Sequence, residues 1–331
     1  MKGKNPMNII KANAQYMDAN NMHPYKFMEK CGRICYKSEN NITEESATKF
    51  VKGLLKSEHT AMLEHAHIIL KTTNGAVQNF EKILNDIANK NGPNLYYFNI
   101  TRNDSDSDDG NYISGSFRSF INFTNVYHDA EINGVLTKEY PEIFTSEYLV
   151  ESHRYQILTR EEFKKDVENI YGNNPDYKNT IISKHLVHTV VFTCDRGITH
   201  EFVRHRPASF AQESTRYCNY SKDKFGKEIT VIEPCFFEPN SLKYKIWKDA
   251  CEYAEKSYFE LLDNNCTPQE ARDVLPTSVK TELVLTATEY EWQHIINLRL
   301  HGTTGAPHPQ IKEVMNIAMP FLIDFSDYRL M

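Results

Sequence analysis

Long apolar runs are absent from this 331-residue sequence, although 40% of its residues are hydrophobic. A membrane-spanning helix needs a run of about 18 or more apolar residues. Residues 1–21 alternate Lys, Asn and Asp with short apolar pairs, so they lack the apolar core of a signal peptide. The composition therefore predicts a globular cytoplasmic protein with no membrane partner.

Cysteine is scarce and scattered. The seven thiols are Cys31, Cys35, Cys194, Cys218, Cys235, Cys251 and Cys266. Their odd number and unpaired spacing argue against a disulfide framework and against a structural zinc site. The glycine-rich fingerprints of Rossmann and P-loop nucleotide sites are also missing. Any nucleotide cofactor must therefore be held by a different kind of site.

Positive charge is in the minority, since 38 Lys and Arg stand against 44 Asp and Glu, and the formal net charge is −6. Sequence-independent binding of nucleic acid needs a broad basic face, so we expect no nucleic-acid partner. The cations are concentrated in residues 199–217, which contain Arg204, His205, Arg206 and Arg216. This density of Arg favours a small anionic ligand.

Pro207 divides the basic stretch. The residue before a proline is pushed out of the helical region, so a helix entering the stretch is predicted to end at about Arg206. We expect a turn-rich segment after it, in which Gln212, Ser214 and Thr215 supply neutral hydrogen-bonding groups. The residues alone leave two interpretations open, a ligand site and a solvated basic helix end.

Three imidazoles and a carboxylate occur in residues 59–67, as His59, Glu64, His65 and His67. A zincin helix requires the pattern H-E-x-x-H, whereas Glu64 directly precedes His65, and the pair leads into the strand-like residues 67–70. We therefore expect no metal in this segment.

Arg299 is singled out by helical periodicity. Thr288 and Glu291 have the spacing of a capping box at the start of a helix. One apolar face of that helix consists of Trp292, Ile295, Ile296 and Arg299. A buried guanidinium is always charged and is costly without an acidic or accepting partner. The pattern thus predicts a ligand or an ion pair at Arg299.

Other patterns predict further elements. We expect helices at residues 22–36 and 76–88, a capped helix start at Thr267, and strands at residues 188–197 and 229–232. A long amphipathic helix is predicted to bury the stripe formed by Leu242, Ile246, Trp247, Ala250, Ala254, Leu261 and Leu262. The core face of a final helix is predicted to be Ile311, Met315, Ala318 and Leu322.

The acidic residues 104–109 do not form a calcium loop. Counting from Asp104, the sixth position is Asp109 instead of Gly and the twelfth is Gly115 instead of Glu. We interpret this tract as a solvated loop.

Six positions of the basic stretch have the spacing R-H-R-x-x-S-x(4)-S-x-R. They are Arg204, His205, Arg206, Ser209, Ser214 and Arg216, and they resemble the signature of the flavin-dependent thymidylate synthase family. Further resemblances are A-R-x-x-L-P at residues 271–276, W-x-H-x(3)-L-R at 292–299, and H-P-Q at 308–310. Residues 59–65 resemble a family segment near the flavin, but Ala61 replaces its hydroxyl residue. Thr288 and Tyr290 stand where some members carry Asn and Arg.

The resemblance covers roughly residues 25–70 and 185–325. It implies an α+β fold with a largely antiparallel sheet flanked by helices. The chain would be a single catalytic domain, 1–331, with a long insertion at about residues 72–184. It also implies a homotetramer that methylates dUMP to dTMP. The carbon comes from methylenetetrahydrofolate and the hydride from FAD that NADPH reduces.

The resemblance also implies roles for individual residues. Arg299 would be catalytic, favouring the N3-deprotonated uracil by opposite charge. The flavin would contact Glu64, Arg204, His205, Arg206, Gln212 and His294. The nucleotide would contact Glu201, Arg204, Gln212, Glu213, Ser214, Thr215, Arg216, Arg272 and Arg299. A cysteine nucleophile is not required, although Cys218 lies close to the signature.

A second interpretation comes from a different class of protein. A non-catalytic nucleotide-binding relative could keep the phosphate-binding arginines while the insertion binds a partner. Ala61 keeps this alternative open, because a contact to the flavin would be lost there. Bound flavin distinguishes the two.

Overall fold

The computed structural model describes residues 7–20, 22–91, 97–103, 105, 107–145, 150–215, 220 and 228–326. Its strands are β1 (Asn8–Ile10), β2 (Asn13–Tyr16), β3 (His67–Thr72), β4 (Phe98–Thr101), β5 (Asn111–Ser116), β6 (Tyr155–Leu158), β7 (Val187–Asp195), β8 (Ala208–Gln212), β9 (Thr230–Ile232) and β10 (Lys280–Thr288).

The helices of the described residues are interspersed with these strands along the chain. They are α1 (Pro24–Tyr36), α2 (Ser46–Lys56), α3 (Asn74–Asn91), α4 (Phe117–Val126), α5 (Ala130–Glu139), α6 (Arg160–Tyr171), α7 (Pro175–His185), α8 (Arg196–Phe202), α9 (Leu242–Asp263), α10 (Pro268–Ala271), α11 (Glu289–Ile296) and α12 (Pro309–Ser326). Short 3₁₀ turns occur at Glu39–Asn41, Thr60–Glu64 and Arg272–Val274, and a π turn at Asn297–His301 follows α11. None of these helices combines the length and apolar character needed to cross a bilayer.

The first sheet has the strand order β2-β7-β10-β8, and every pair in it is antiparallel. Successive side chains of each strand point to opposite faces of this sheet. Both faces are covered by apolar cores. On β10, Leu283 and Leu285 pack towards α11 and α12, while Val284 joins the core around α1. This sheet carries the candidate site at the edge where β7 leads into α8.

The second sheet has the order β4-β5-β3-β6 and is also antiparallel. One face, with Ile68 and Leu70, shares the core of α1, α3 and α4, and the other face packs against α6 and α7 through Ile69. Helices therefore lie between the two sheets. The strands from residues 98–158 pair with β3 or with one another, so this part of the chain is built onto β3.

The fold class expected from the sequence is confirmed as α+β with largely antiparallel pairing. The described strands nevertheless divide into two four-stranded sheets and a parallel pair, β1 with β9, instead of one sheet. Strand periodicity identifies a buried strand but does not specify its partners, since pairing is set by tertiary packing.

Several expected elements have different ends or a different environment. The helix expected to end at about Arg206 ends at Phe202, and the segment after Pro207 is the strand β8 instead of a turn. The strand expected to stop at Gly197 ends at Asp195, whose carboxylate accepts a hydrogen bond from the Ile198 backbone N–H at 3.0 Å. This N-cap starts α8 before the glycine.

The predicted core stripe of the long helix is wrong for part of its length. The buried face of α9 is formed by Cys251, Glu255, Tyr258 and Phe259. Leu242, Ile246 and Ala250 of the predicted stripe are exposed. Apolar residues occur on two faces of this helix, and periodicity alone could not choose between them. By contrast, the predicted core face of α12 is confirmed, because Ile311, Met315, Ala318 and Leu322 are all fully buried.

Candidate active site

The basic stretch crosses from α8 to β8 through residues 203–207. His205 is buried at 4% exposure, whereas Arg204 and Arg206 on either side of it are exposed. The three residues therefore do not act as one cationic unit. The two arginines are accessible to a ligand, and the histidine is directed into the protein.

His205 links three parts of the site. Its Nε2 atom accepts a hydrogen bond from Nε of Arg299 at 3.1 Å, and its Nδ1 atom lies 3.2 Å from Oε1 of Glu291. The guanidinium nitrogen can only donate, so the proton of the neutral imidazole must lie on Nδ1, which donates to Glu291. This arrangement fixes the ring orientation and joins α11 to the loop before β8.

Arg299 lies in the π turn that follows α11, and its side chain is 16% exposed. Nη1 donates to Oε2 of Glu201 at 3.0 Å, and Nη2 donates to the Glu201 backbone oxygen at 2.9 Å. The ion pair expected from periodicity is present. The π turn ends at Gly302, whose φ of 70° lies in the left-handed region that glycine favours.

Three potential metal ligands meet beside Arg299. Ligand atoms of His205, Glu291 and His294 all lie within 4.8 Å of one another, and His294 is exposed. The hydrogen bond between His205 and Glu291 already uses two of these atoms. The positive charge of Arg299, 3.1 Å from His205, opposes a second cation at the same place. The geometry therefore favours a hydrogen-bonded cluster over a metal centre.

Gln212 ties the end of β8 to its neighbours. Its side-chain nitrogen donates to Thr199 on α8 at 3.1 Å and lies 3.4 Å from the Thr281 hydroxyl on β10. These contacts hold the amide in one orientation. Gln212 is thus placed between the helix that carries Glu201 and the central strand of the sheet.

Glu213 is buried at 2% exposure and is surrounded by cations. Its carboxylate lies 3.1 Å from Lys280 and 3.8 Å from Lys37, and its backbone oxygen accepts a bond from Arg196 at 2.7 Å. Burial alone would lower the pKa of Lys280, but Glu213 and Glu282 reverse this and raise it. The carboxylate of Glu213 is therefore engaged with lysines, which the sequence did not predict.

Arg272 lies in the turn after α10, next to the end of the basic stretch. Its Nη1 atom is 3.4 Å from the hydroxyl of Thr215, and Ser214, which precedes Thr215 in sequence, is half-buried. The helix start before Arg272 is the predicted capping box, formed by Thr267 and Glu270. Arg216 and Cys218 were also singled out in the sequence, but both lie outside the described residues.

Glu64 was predicted as a flavin contact, and the structure gives it a partner that sequence reasoning missed. Its carboxylate forms an ion pair with Arg118, and its backbone oxygen accepts a hydrogen bond from the Ser209 hydroxyl at 3.3 Å. Arg118 lies in the first turn of α4, inside the predicted insertion. The side chain is 41% exposed, so it remains accessible next to the basic stretch.

His65, which follows Glu64 in sequence, is held inside the protein by a structural contact. His65 is buried, with Nδ1 2.8 Å from the Thr286 hydroxyl, and burial lowers its pKa to about 3. The imidazole is therefore neutral inside the sheet region.

Thr288 caps α11 by accepting a bond from the Glu291 backbone N–H at 3.2 Å, and Tyr290 is exposed.

Three of the described thiols are poor nucleophiles. Cys31 and Cys194 are fully buried, and burial raises the pKa of each far above its ordinary value. Cys235 is exposed, but partial burial of its sulfur and then the neighbouring Glu313 raise its pKa to about 11. A thiolate is the reactive form of cysteine, so these positions are not set up for nucleophilic attack.

Known proteins resemble this chain over part of its length. Flavin-dependent thymidylate synthase from Pyrococcus abyssi (strain GE5 / Orsay) is 30% identical over 152 residues, which are 44% of this chain and 58% of that protein. The protein of the same name from Sulfolobus acidocaldarius is 33% identical over 122 residues, covering 36% of this chain and 44% of that one. The chain thus spans about half the length of the curated relatives that it matches.

A solved structure of a UMP/dUMP methylase, PolB from Streptomyces cacaoi with bound 5-Br dUMP, aligns with 96% of this chain and 93% of that one. The sequence identity is 14% and the TM-score is 0.39. The sequence model of the thymidylate synthase complementing protein family matches residues 145–321, which are more than half of the 331 residues. This match includes α8, the basic stretch and the π turn with Arg299, and the chain belongs to the thymidylate synthase complementing protein family.

Proposed function

We propose that this protein is a flavin-dependent thymidylate synthase. It would convert dUMP to dTMP, with methylenetetrahydrofolate as carbon donor and NADPH as reductant of FAD. The observation that carries the proposal is the mostly buried guanidinium of Arg299, which Glu201 and His205 hold, together with the exposed Arg204 and Arg206 on either side of His205 in sequence. The names of the relatives point to the same activity.

Arg299 is the proposed catalytic residue. Arginine has five N–H donors, and the contacts within the described residues use one on each of its three nitrogens. One N–H on each terminal nitrogen is therefore available for a uracil oxygen. Because Nη1 and Nη2 are both fixed to Glu201, the remaining donors are preorganised and need no rearrangement when the nucleotide binds.

Glu201 changes what Arg299 offers to the base. Its carboxylate offsets the positive charge, so the pair presents an acceptor beside donors instead of an uncompensated cation. A uracil edge carries the N3–H donor between two carbonyl acceptors. We therefore propose that Glu201 accepts from N3–H while Arg299 donates to a flanking oxygen, which orients the ring for reaction at the opposite side. This differs from the N3-deprotonated uracil that the resemblance implied, because the carboxylate of Glu201 would repel that anion.

The phosphate of dUMP would lie towards Arg272. Its guanidinium is half-exposed, and its contact with Thr215 places a hydroxyl donor beside it. An arginine fork with a neighbouring hydroxyl suits a phosphate dianion. Gln212, Ser214 and Arg216 would complete the proposed nucleotide site, although Arg216 is not among the described residues, and Arg204 would lie between nucleotide and flavin. Glu213 would act through its buried lysine contacts, which hold the strand end in place.

The residues present fit FAD by the chemistry of their donors. FAD carries an anionic pyrophosphate and a hydrogen-bonding ring system, and Arg204, Arg206 and His294 are exposed next to buried His205. Glu64 and Arg118 add an acceptor and a donor at the same edge. FAD, when bound and reduced, would supply the hydride. The residues of the chain would bind it, orient it and keep the uracil edge fixed.

The oligomeric state and location remain those expected from the resemblance. We propose a homotetramer in the cytoplasm that shares its sites between subunits, with dUMP, folate and NADPH as partners. The proposed activity would involve neither a nucleic-acid partner nor a membrane partner.

Two measurements on the purified protein test the proposal. We expect a flavin absorption band in the blue region of the visible spectrum, either in the protein as purified or after FAD is added. Formation of dTMP should depend on methylenetetrahydrofolate and NADPH together. A colourless protein that takes up no FAD yet binds dUMP would instead support the non-catalytic nucleotide-binding alternative.

A further inference from the structure

A cavity of about 630 Å³ lies between α1 and α2. This volume is typical of a small-molecule site. Its lining includes the cations Arg33 and Lys49 and the aromatic residues Tyr36 and Phe50, with Glu45 as its acidic residue. No residue assigned to the nucleotide or the flavin is among the described residues that line it. The cavity is therefore a separate place for a ligand.

Arg33 is held at the wall of this cavity by two kinds of contact. Its Nε and Nη2 atoms donate to Oε1 of Glu29 at 3.1 and 2.9 Å, and its guanidinium carbon lies over the Phe50 ring, 4.7 Å from the ring centre. Glu29 is buried at 1% exposure, and its other oxygen accepts a bond from the Ser46 hydroxyl at 2.7 Å. Within the described residues, Nη1 of Arg33 donates to no partner. Arg33 thus offers preorganised donors to an anionic group.

A row of lysines continues from the cavity along α2. Lys49 lines the cavity, and Lys52 and Lys56 follow it at intervals of three and four residues, which places all three on one stripe of the helix. They are exposed, and none of them forms an ion pair with another described residue. The row therefore suits a ligand that carries several negative charges along its length.

Two parts of the cavity lining lead into the candidate active site. Tyr36 precedes Lys37, whose Nζ atom lies 3.8 Å from the carboxylate of Glu213. His59 also lines the cavity, and the 3₁₀ turn that carries Glu64 begins directly after it. A long molecule can therefore reach from the cavity into the proposed site for nucleotide and flavin.

We propose that the cavity and the lysine row bind the glutamate tail of the folate co-substrate. The inference rests on the proposed function, which takes methylenetetrahydrofolate as carbon donor. Each glutamate of such a tail brings one carboxylate, so a chain of them matches single cations spaced along a helix. Arg33 would hold the first carboxylate by its planar fork, and the lysines would attract those that follow. Tyr36 and Phe50 provide aromatic surface for the p-aminobenzoyl ring that precedes the tail.

Binding of folates with different tail lengths tests the proposal. Isothermal titration calorimetry on the full chain with FAD added should compare tetrahydrofolate that has one glutamate with tetrahydrofolate that has four. We expect the longer form to bind roughly tenfold more tightly at low ionic strength, and the difference to shrink at high salt. A protein that binds neither form, or that binds both equally, would overturn the proposal.

Substitution of the lysine row tests where the tail lies. In the triple variant Lys49→Gln, Lys52→Gln and Lys56→Gln, we expect the two forms to bind with affinities within about twofold of each other. Circular dichroism checks that the variant is folded. A tail-length preference that survives in it would contradict the proposal. The matched control, which should keep the preference, changes three exposed lysines of α9 instead, by Lys243→Gln, Lys245→Gln and Lys248→Gln.

Arg33→Lys tests the guanidinium, because it keeps a positive charge beside buried Glu29 but loses the planar fork. We expect it to weaken binding of the one-glutamate form by about fivefold. Unchanged folate affinity, or a larger effect on flavin reduction by NADPH than on folate binding, would overturn the proposal. Formation of dTMP is measured separately. Its absence would contradict the proposed function, whereas dTMP formation without a tail-length preference would contradict only the use of this cavity.

Discussion

Arg299 and Glu201 are joined twice, once through the carboxylate at 3.0 Å and once through the backbone oxygen at 2.9 Å. The second contact does not depend on the charge of Glu201, so the guanidinium is oriented by the backbone of α8 as well as by an ion pair. A planar fork can make both contacts together, whereas a lysine ammonium cannot reproduce this geometry. The relationship therefore explains why arginine is needed at this position.

Arg299→Lys should lower turnover by roughly a hundredfold, or about 3 kcal/mol of transition-state stabilisation. The charge is retained, but the fork that orients a uracil edge is lost. Steady-state formation of dTMP and stopped-flow reduction of flavin by NADPH should be measured separately, and flavin reduction should be much less affected. Arg102→Lys is a matched control, since Arg102 is 48% exposed and lies 3.8 Å from Glu81.

Equal losses of both activities in Arg299→Lys would mean that Arg299 holds the site together. No loss of either would mean that the Glu201 ion pair is only structural, and the catalytic assignment would then be wrong.

Arg206→Ala should greatly reduce retention of FAD while leaving the fold intact. The side chain is exposed, so its removal creates no cavity, and an exposed arginine beside the site suits an anionic cofactor. Flavin content after gel filtration and the FAD dissociation constant are the measurements. Arg102→Ala, which removes another exposed arginine, should keep FAD. Unchanged affinity in Arg206→Ala would refute the assignment.

Arg118→Ala should weaken FAD binding by up to about fivefold, because Glu64 loses the ion pair that orients it. Both side chains are partly exposed, so the coupling is expected to stay below about 1 kcal/mol. A double-mutant cycle with Glu64→Gln, using FAD affinity by fluorescence, should reveal non-additive effects. Arg154→Ala is the control, since Arg154 forms a similar pair with Glu131 beside the second sheet. Strict additivity would mean that Arg118 does not act through Glu64.

Buried His185 should make the protein less stable in acid. Its ring nitrogens lie 2.9 Å from the Thr101 hydroxyl and 2.8 Å from the Ser114 hydroxyl, and burial lowers its pKa to about 3. An unfolded histidine titrates at about 6.5, so below that pH the unfolded chain binds a proton that the folded chain does not. The contribution of His185 to the free energy of unfolding does not change with pH above about 6.5. It decreases by up to about 1.4 kcal/mol per pH unit as the pH falls from there towards 3.

The measurement is the free energy of unfolding in urea between pH 7 and pH 4. His185→Gln should reduce its slope against pH, whatever the variant does to stability at pH 7. The exposed His153→Gln serves as the control. An unchanged slope in His185→Gln would show that His185 does not contribute.

Several features could be predicted from local pattern because their cause is local. The capping box at Thr267 and the core face of α12 depend on residues within a few turns, and both agree with the structure. A partner for Arg299, either a ligand or an ion pair, was predicted from electrostatics, since a guanidinium cannot be neutralised by losing its proton. What the pattern could not give was the identity of that partner, Glu201, because 98 residues separate them.

The sequence by itself indicated the fold class, through the residues that resemble a known signature, and it indicated several helices and strands. It did not predict β10, and it predicted a turn where β8 lies. Tertiary structure alone decided that the strands form two main sheets, that α9 exposes part of its predicted stripe, and that Arg118 reaches Glu64. Local propensities act between residues close in the chain, and side-chain periodicity records which positions are apolar. Neither records which distant surface will cover an apolar face or meet a charge, because that depends on how the whole chain packs.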